Sequence, residues 1–295
     1  MPIFIAYAVV VLIWSTTPLA VVWSNEGLSF SAAVTLRMVL AFLVASVVML
    51  LTGDRIRLGN GNWKVYSVAS FGLFPNMLLI YWSAQFISSG LLALIFGMSP
   101  FFTGVLSWVI VRENGFTWHR VLSLPFALAG LALVFRDSLN LGPDAVYGVL
   151  GMLLSCVLFA VTGIWMKKMN SSLGAINQTT GAIGFSLPGF ILTWYLVDGT
   201  IPETLPMHSI YAVLYLALMG SLVGIALFIY LIKHISMESV SLITMMSPVI
   251  ALFIGFALAG ERMSITLALG ASLILLSLVF YQGFGFSQVK RWLTD

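Results

Sequence analysis

The chain has 295 residues, of which 60% are apolar and only 8% charged, whereas soluble domains carry about 25% charged residues. So few charges cannot cover the surface of a soluble monomer, and the apolar surplus is expected to face lipid. The net charge of +3 is scattered over loops, which excludes a nucleic-acid stripe, and the single cysteine, Cys156, excludes an intrachain disulfide.

A helix needs about 20 apolar residues to cross the hydrocarbon core. Ten stretches qualify in chain order: 4–23, 29–51, 64–86, 89–111, 118–136, 145–167, 173–196, 208–233, 237–259 and 264–284. Their apolar runs are continuous rather than alternating, which excludes a β-barrel. Residues 1–24 lack the Lys or Arg of a signal-peptide n-region, so the first stretch is read as a retained span. The expected fold is an all-α integral membrane protein of ten transmembrane helices.

Loop charges orient it. Arg55, Arg57, Lys64, Arg112, Arg120, Lys167, Lys168, Lys233, Lys290 and Arg291 fall on one side, and only Arg136 and Arg262 on the other. By the positive-inside rule both termini are expected in the cytoplasm.

The second half repeats the first. Residues 72–113 align with 220–261 at a shift of 148, with Met98-Ser99-Pro100 and Glu113 returning as Met246-Ser247-Pro248 and Glu261. Residues 1–142 and 143–295 each hold five expected spans. Five is odd, so the second repeat must enter the membrane from the opposite face, and the repeats are expected to be inverted. Glu113 then ends its span at the cytoplasmic face and Glu261 at the outer face.

Several segments together resemble the EamA type of drug/metabolite transporter across nearly the whole chain. They are Trp14-Ser15-Thr16-Thr17-Pro18 in span 1, Leu36-Arg37-Met38-Val39-Leu40-Ala41 in span 2, the mid-span Pro100 and Pro248 with their trailing glutamates, and Gly130 and Gly270 in the spans after them. The resemblance implies export or uptake of small metabolites such as amino acids across the inner or plasma membrane. Two departures stand out. Span 6 lacks the Trp-Gly-like opening and reads Leu158-Phe159-Ala160-Val161-Thr162-Gly163, and a shift of 145 places Ala182 opposite Arg37. The two halves are therefore not functionally equivalent.

The residues suited to transport follow from depth. Trp14 lies near mid-span beside Thr16 and Thr17, where an interfacial aromatic belt does not explain it. Arg37 lies eight residues from the outer end of span 2, about 12 Å deep. A structural or gating role is expected there ahead of direct substrate contact. Asn76 is a lone amide in span 3, suited to a neighbouring helix or to a substrate. Tyr81, Gln85, Trp165, Tyr230 and Met245 complete the candidate substrate-binding set with Trp14, Thr17 and Asn76. Gly220 and Gly224 read first as close helix packing. Pro100 and Pro248 remove backbone bonds near mid-span and read as paired hinges.

His119, His208 and His234 are far apart, so no metal is expected, and no cofactor. Neither a nucleophile with its base nor an in-membrane metal set is present, so an enzyme is not expected. All ten acidic residues fall in loops or at span ends, which points to facilitated diffusion or to coupling without a buried carboxylate. The expected partners are a neutral, zwitterionic or aromatic small molecule and the bilayer, and a monomer is compatible with this reading. A flippase for a lipid-linked intermediate is the alternative, and it should show a lateral opening.

Overall fold

The computed structural model describes residues 2–282 apart from 60, 113–117, 170, 172, 201, 203, 236 and 262–263. Among them there is no strand. The helices are α1 (Ile3–Asn25), α2 (Phe30–Leu51), α3 (Asn62–Phe71), α4 (Asn76–Ser83), α5 (Ser89–Phe96), α6 (Ser99–Val111), α7 (Trp118–Leu141), α8 (Pro143–Met169) and α9 (Ala175–Val197). Then come α10 (Met207–Tyr215), a π-helical stretch (Leu216–Val223), α11 (Gly224–His234), α12 (Met237–Ala259) and α13 (Ile265–Gln282).

With α3–α4 and α5–α6 each taken as one span, seven helices among the described residues are long and apolar enough to cross a membrane. They run from α1 to α9. The last three expected spans fall on shorter apolar helices, Met207–Val223, Met246–Ala259 and Ile265–Tyr281. Phe4, Leu51, Leu196, Phe253 and Ile265 are all exposed. Large apolar side chains so displayed suit lipid and not water. The chain is a multi-pass membrane protein.

Polar start signals place the helices. Ser29 caps α2 by accepting from the Ala32 N–H at 3.2 Å, and Ser88 caps α5 through the Leu91 N–H. Inside the bundle, helices of one half pack on helices of the other. Asn76 of α4 meets Ser155 of α8, and Ser83 lies against Gly151. Thr35 of α2 donates to the Phe190 carbonyl of α9, and Gly184 faces Phe42. In each pair one residue number rises as the other falls, so the partners are antiparallel. The same holds for α7 and α13. Gly130 faces Gly270 and Ile274, Gly270 faces Val134, and Ser264 donates to Asp137 at 2.6 Å. These two helices cross backbone to backbone at their glycines, as the small-residue pairing of membrane helices requires.

Asn177, a polar residue in the first turn of α9, is buried. It accepts from the Tyr66 hydroxyl at 2.5 Å and donates to the Arg55 carbonyl at 2.6 Å. It thereby ties the 52–61 loop to α3 and α9. The Arg55 N–H, the Asn177 amide and the Arg57 guanidinium together hold the Asp54 carboxyl in that loop below its ordinary value. A lowered folded pKa means that this contribution is present above the ordinary carboxylate pKa. It fades as pH falls through the lowered one.

Candidate substrate-binding site

The two halves interrupt their helices at the same repeat position. In the first half α3 stops at Phe71, the chain turns through Gly72–Pro75, and α4 begins at Asn76. A shift of 148 carries Gly72–Pro75 to Gly220–Val223, inside the π-helical stretch. There the Ser221 hydroxyl donates to the Leu216 carbonyl, five residues back, at 3.0 Å. Interrupted spans at corresponding positions of two repeats mark where carriers build their sites, because irregular backbone is tolerated at that depth only against protein or a cavity. π-Helical turns likewise concentrate at functional sites.

What faces the second interruption is specific. A Cβ on Gly224 would stand 3.3 Å from Cγ2 of Ile13 and 3.5 Å from the Trp14 indole nitrogen. One on Gly220 would stand 3.4 Å from Nη2 of Arg37 and 3.8 Å from the Thr17 hydroxyl. The two glycines thus allow close packing against α1, as read from sequence, and they also admit the arginine. Arg37 is 3% exposed. Its Nε donates to the Ser221 hydroxyl at 3.2 Å, its Nη1 donates to the Tyr81 hydroxyl at 3.4 Å, and its guanidinium carbon lies 6.0 Å from the Tyr81 ring centre. No carboxylate pairs with it among the described residues. Trp14 packs on Phe228 with ring centres 4.8 Å apart. Trp14, Thr17, Arg37 and Tyr81 therefore come together around Gly220, Ser221 and Gly224. Thr179, Thr180, Ser221 and Ile225 line an adjoining cleft of about 30 Å³ between α9 and α11.

The other candidates lie elsewhere. Asn76 is buried, accepts from the Ser155 hydroxyl at 2.6 Å, and donates to the Gly72 carbonyl at 3.1 Å. Its hydrogen bonds go to the turn that precedes its own helix and to the neighbouring α8. Asn76→Ala is expected to lower unfolding free energy by about 1–2 kcal/mol while leaving ligand affinity unchanged. Thermal unfolding with and without ligand would check both halves of that statement. Gln85 is exposed and donates to the Trp82 carbonyl, and Trp165 is 53% exposed on α8. Tyr230 belongs to the smaller apolar cluster that also contains Tyr7 and Trp14, and its ring lies tilted against His234 with centres 4.1 Å apart. Met245 lies outside the residues whose side chains are described, and Glu113 lies outside the described residues altogether.

Pro100 and Pro248 are not structural equals. The helix breaks at Gly97-Met98, and Pro100 takes the first turn of α6, where no N–H is required of it. Pro248 sits inside an unbroken α12. The repeat partner of Gly97 is Met245, so only the first copy has glycine at the break. Pro248 nonetheless packs against the break of the first copy. A Cβ on Gly97 would stand 2.8 Å from Cγ of Pro248.

Beyond Pro248, α12 ends at Gly260, whose φ of 63° is the left-handed conformation that glycine adopts freely. The turn sends Glu261 back over the start of α5. There Oε1 accepts from the Ser89 N–H at 2.7 Å and the Ser89 hydroxyl at 2.6 Å, and Oε2 accepts from the Gly90 N–H at 3.1 Å. A Cβ on Gly255 would overlap Oε2. One repeat's carboxylate thus caps a helix of the other repeat.

Sequence reasoning placed Glu261 at a span end but missed its partner Ser89. It also missed Ser221 and the Thr16–Tyr215 hydroxyl pair at 2.6 Å. Ser221 had a signal, a hydroxyl between Gly220 and Gly224. Ser89 and Tyr215 had none, because their partners are distant in the chain.

The sequence pattern of the EamA-like transporter family matches residues 1–136 and 146–282, one match in each half. An "Uncharacterized transporter" of Archaeoglobus fulgidus is 24% identical over 280 residues, covering 93% of this chain and 96% of that one. The "Uncharacterized transporter YoaV" of Bacillus subtilis is 22% identical, covering 95% and 96%. Protein PecM of Dickeya dadantii is 22% identical, covering 83% and 82%. A crystal structure with 19% sequence identity superposes with a TM-score of 0.63 over 94% of this chain and 96% of its own, and so shares the fold. This chain belongs to the EamA-like transporter family.

Proposed function

We propose that the protein is a secondary carrier of small metabolites, of neutral, zwitterionic or aromatic character, working by alternating access. Ten spans form two inverted five-helix repeats with both termini in the cytoplasm. The observation that carries this reading is the pair of interrupted spans at equivalent repeat positions, one of which faces Trp14, Thr17, Arg37 and Tyr81. The antiparallel packing of equivalent helices supports the inversion, α2 on α9 and α7 on α13. Metabolite pockets span about 300–1,000 Å³. The cleft beside Ser221 is about 30 Å³, so the helices must part to admit a substrate.

Proteoliposomes loaded with a panel of amino acids, amines and nucleobases provide the test. At least one compound is expected to exchange across the membrane in counterflow. Trp14→Ala is expected to weaken that exchange by about tenfold through loss of an aromatic wall. Absence of exchange with every compound would sink the carrier reading. Full exchange by Trp14→Ala would remove the pocket from α1.

A further inference from the structure

Arg37 is a buried cation with no acid beside it among the described residues. Each carboxylate whose contacts are described is engaged elsewhere: Glu26 with His208, Asp54 with Arg57 and Asn177, Asp137 with Ser264, Asp198 with Thr200, and Glu261 with Ser89 and Gly90. Asp144 is exposed at the start of α8. The groups that do touch Arg37 are two neutral hydroxyls. The Ser221 proton is committed to the Leu216 carbonyl, so this hydroxyl can only accept from the guanidinium. Nη2 lies beside Gly220, 3.4 Å from where a Cβ would stand. A guanidinium is costly to bury alone, and its fork matches a carboxylate in two parallel hydrogen bonds.

We propose that Arg37 binds the carboxylate of the transported molecule, with the Tyr81 hydroxyl as a second donor. This rests on the carrier reading above and narrows its substrate class to carboxylate-bearing metabolites. It departs from the structural role expected of Arg37 from sequence, because a structural arginine would be neutralised by the protein itself. Both recognition groups are single-copy: the repeat partner of Arg37 is Ala182 and that of Tyr81 is Ile229. The aromatic wall of Trp14 and Phe228 lies beside Gly224 and suits an apolar or aromatic remainder.

Four probes separate the contributions: L-phenylalanine, 3-phenylpropanoate, L-phenylalaninamide and phenethylamine. Binding is measured on the full chain, in nonionic detergent without anionic lipid, by quenching of tryptophan fluorescence. The two carboxylates are expected to bind about 10- to 100-fold more tightly than the amide and the amine, the scale of a charge-assisted bidentate contact. Arg37→Gln is expected to abolish that preference. Arg37→Lys, which keeps the charge and loses the fork, should retain part of it, and Tyr81→Phe should weaken carboxylate binding while the fold persists. Equal binding of acid and amide by the unmodified protein, or binding of none of the four, overturns the proposal without any variant. Inorganic phosphate competing as well as 3-phenylpropanoate would overturn the carboxylate assignment in favour of a general anion site. Counterflow keeps the two readings distinct. Exchange of the amine or amide that ignores Arg37 leaves a carrier without this site. Arg37-dependent binding without exchange of any probe leaves the site and removes the carrier.

Discussion

Glu261→Ala is expected to lower unfolding free energy by about 2–3 kcal/mol and to reduce transport sharply. The size follows from what the carboxylate does. It closes three hydrogen bonds to the first residues of α5, two of them to backbone N–H groups that have no helical partner of their own. Bonds to an ionised acceptor are worth about 1.5–3 kcal/mol each before the substituted site relaxes, and water re-entering at a helix end recovers part of that. Glu261→Gln should fall between. Its oxygen can still serve Ser89, but its amide then points N–H groups at the Gly90 N–H. The position is also a joint between repeats, so its loss should loosen the end of the bundle where α12 meets α5. Thermal unfolding in detergent and counterflow in proteoliposomes would check the two effects. Glu113→Ala is expected to cost less. The repeat counterpart of Ser89-Gly90 reads Met237-Glu238, so a hydroxyl donor is missing and an acid is added. Equal losses for the two glutamates would refute this asymmetry.

Gly130→Leu should prevent α7 and α13 from meeting. A Cβ there would stand 2.7 Å from the Gly270 carbonyl oxygen and 3.0 Å from the Ile274 nitrogen. Both are backbone atoms of one helix, so no rotamer change makes room and the helices must separate along their length. Overpacking of this kind costs about 1–3 kcal/mol where side chains can yield, and the upper end or more is expected here. Gly163→Ala on α8 is the matched control. Nothing lies within 4 Å of the Cβ it would add, and glycine is a poor helix former. It should be neutral or raise stability by up to about 1 kcal/mol. Size-exclusion profiles and melting temperatures of the two variants would show whether close approach, rather than glycine itself, matters.

Much of the fold was readable because a bilayer leaves few choices. Apolar runs too long for a soluble core must span it as helices. The stretches 4–23 and 29–51 reappear as α1 and α2 within a few residues. The repeat was readable because glycine, proline and glutamate were kept in register. The irregular backbone was readable only in part. Gly72 and Pro75 are visible interruptions, whereas the π-helical stretch at Leu216–Val223 contains no proline and one glycine. Its extra residue per turn is stabilised by contacts with α1 and α2, which no local pattern records.

The candidate site divides the same way. Trp14, Thr17 and Tyr81 stood out as polar or aromatic groups at depth, and the structure gathers them. Asn76 stood out for the same reason, and its bonds go to Ser155 and Gly72 instead. Depth in the membrane is a one-dimensional property that composition and spacing determine. Which of two faces a side chain turns to, and what waits there, is set by the crossing of helices distant in the chain. The sequence alone established the class, the repeat, the family resemblance and the presence of one arginine within a span. Only the tertiary structure decided that this arginine, among the described residues, meets two hydroxyls and no acid, and that Glu261 closes on Ser89. Hydrogen bonds act over about 3 Å. They depend on packing that brings together residues 44 to 184 positions apart, and no local spacing carries that information.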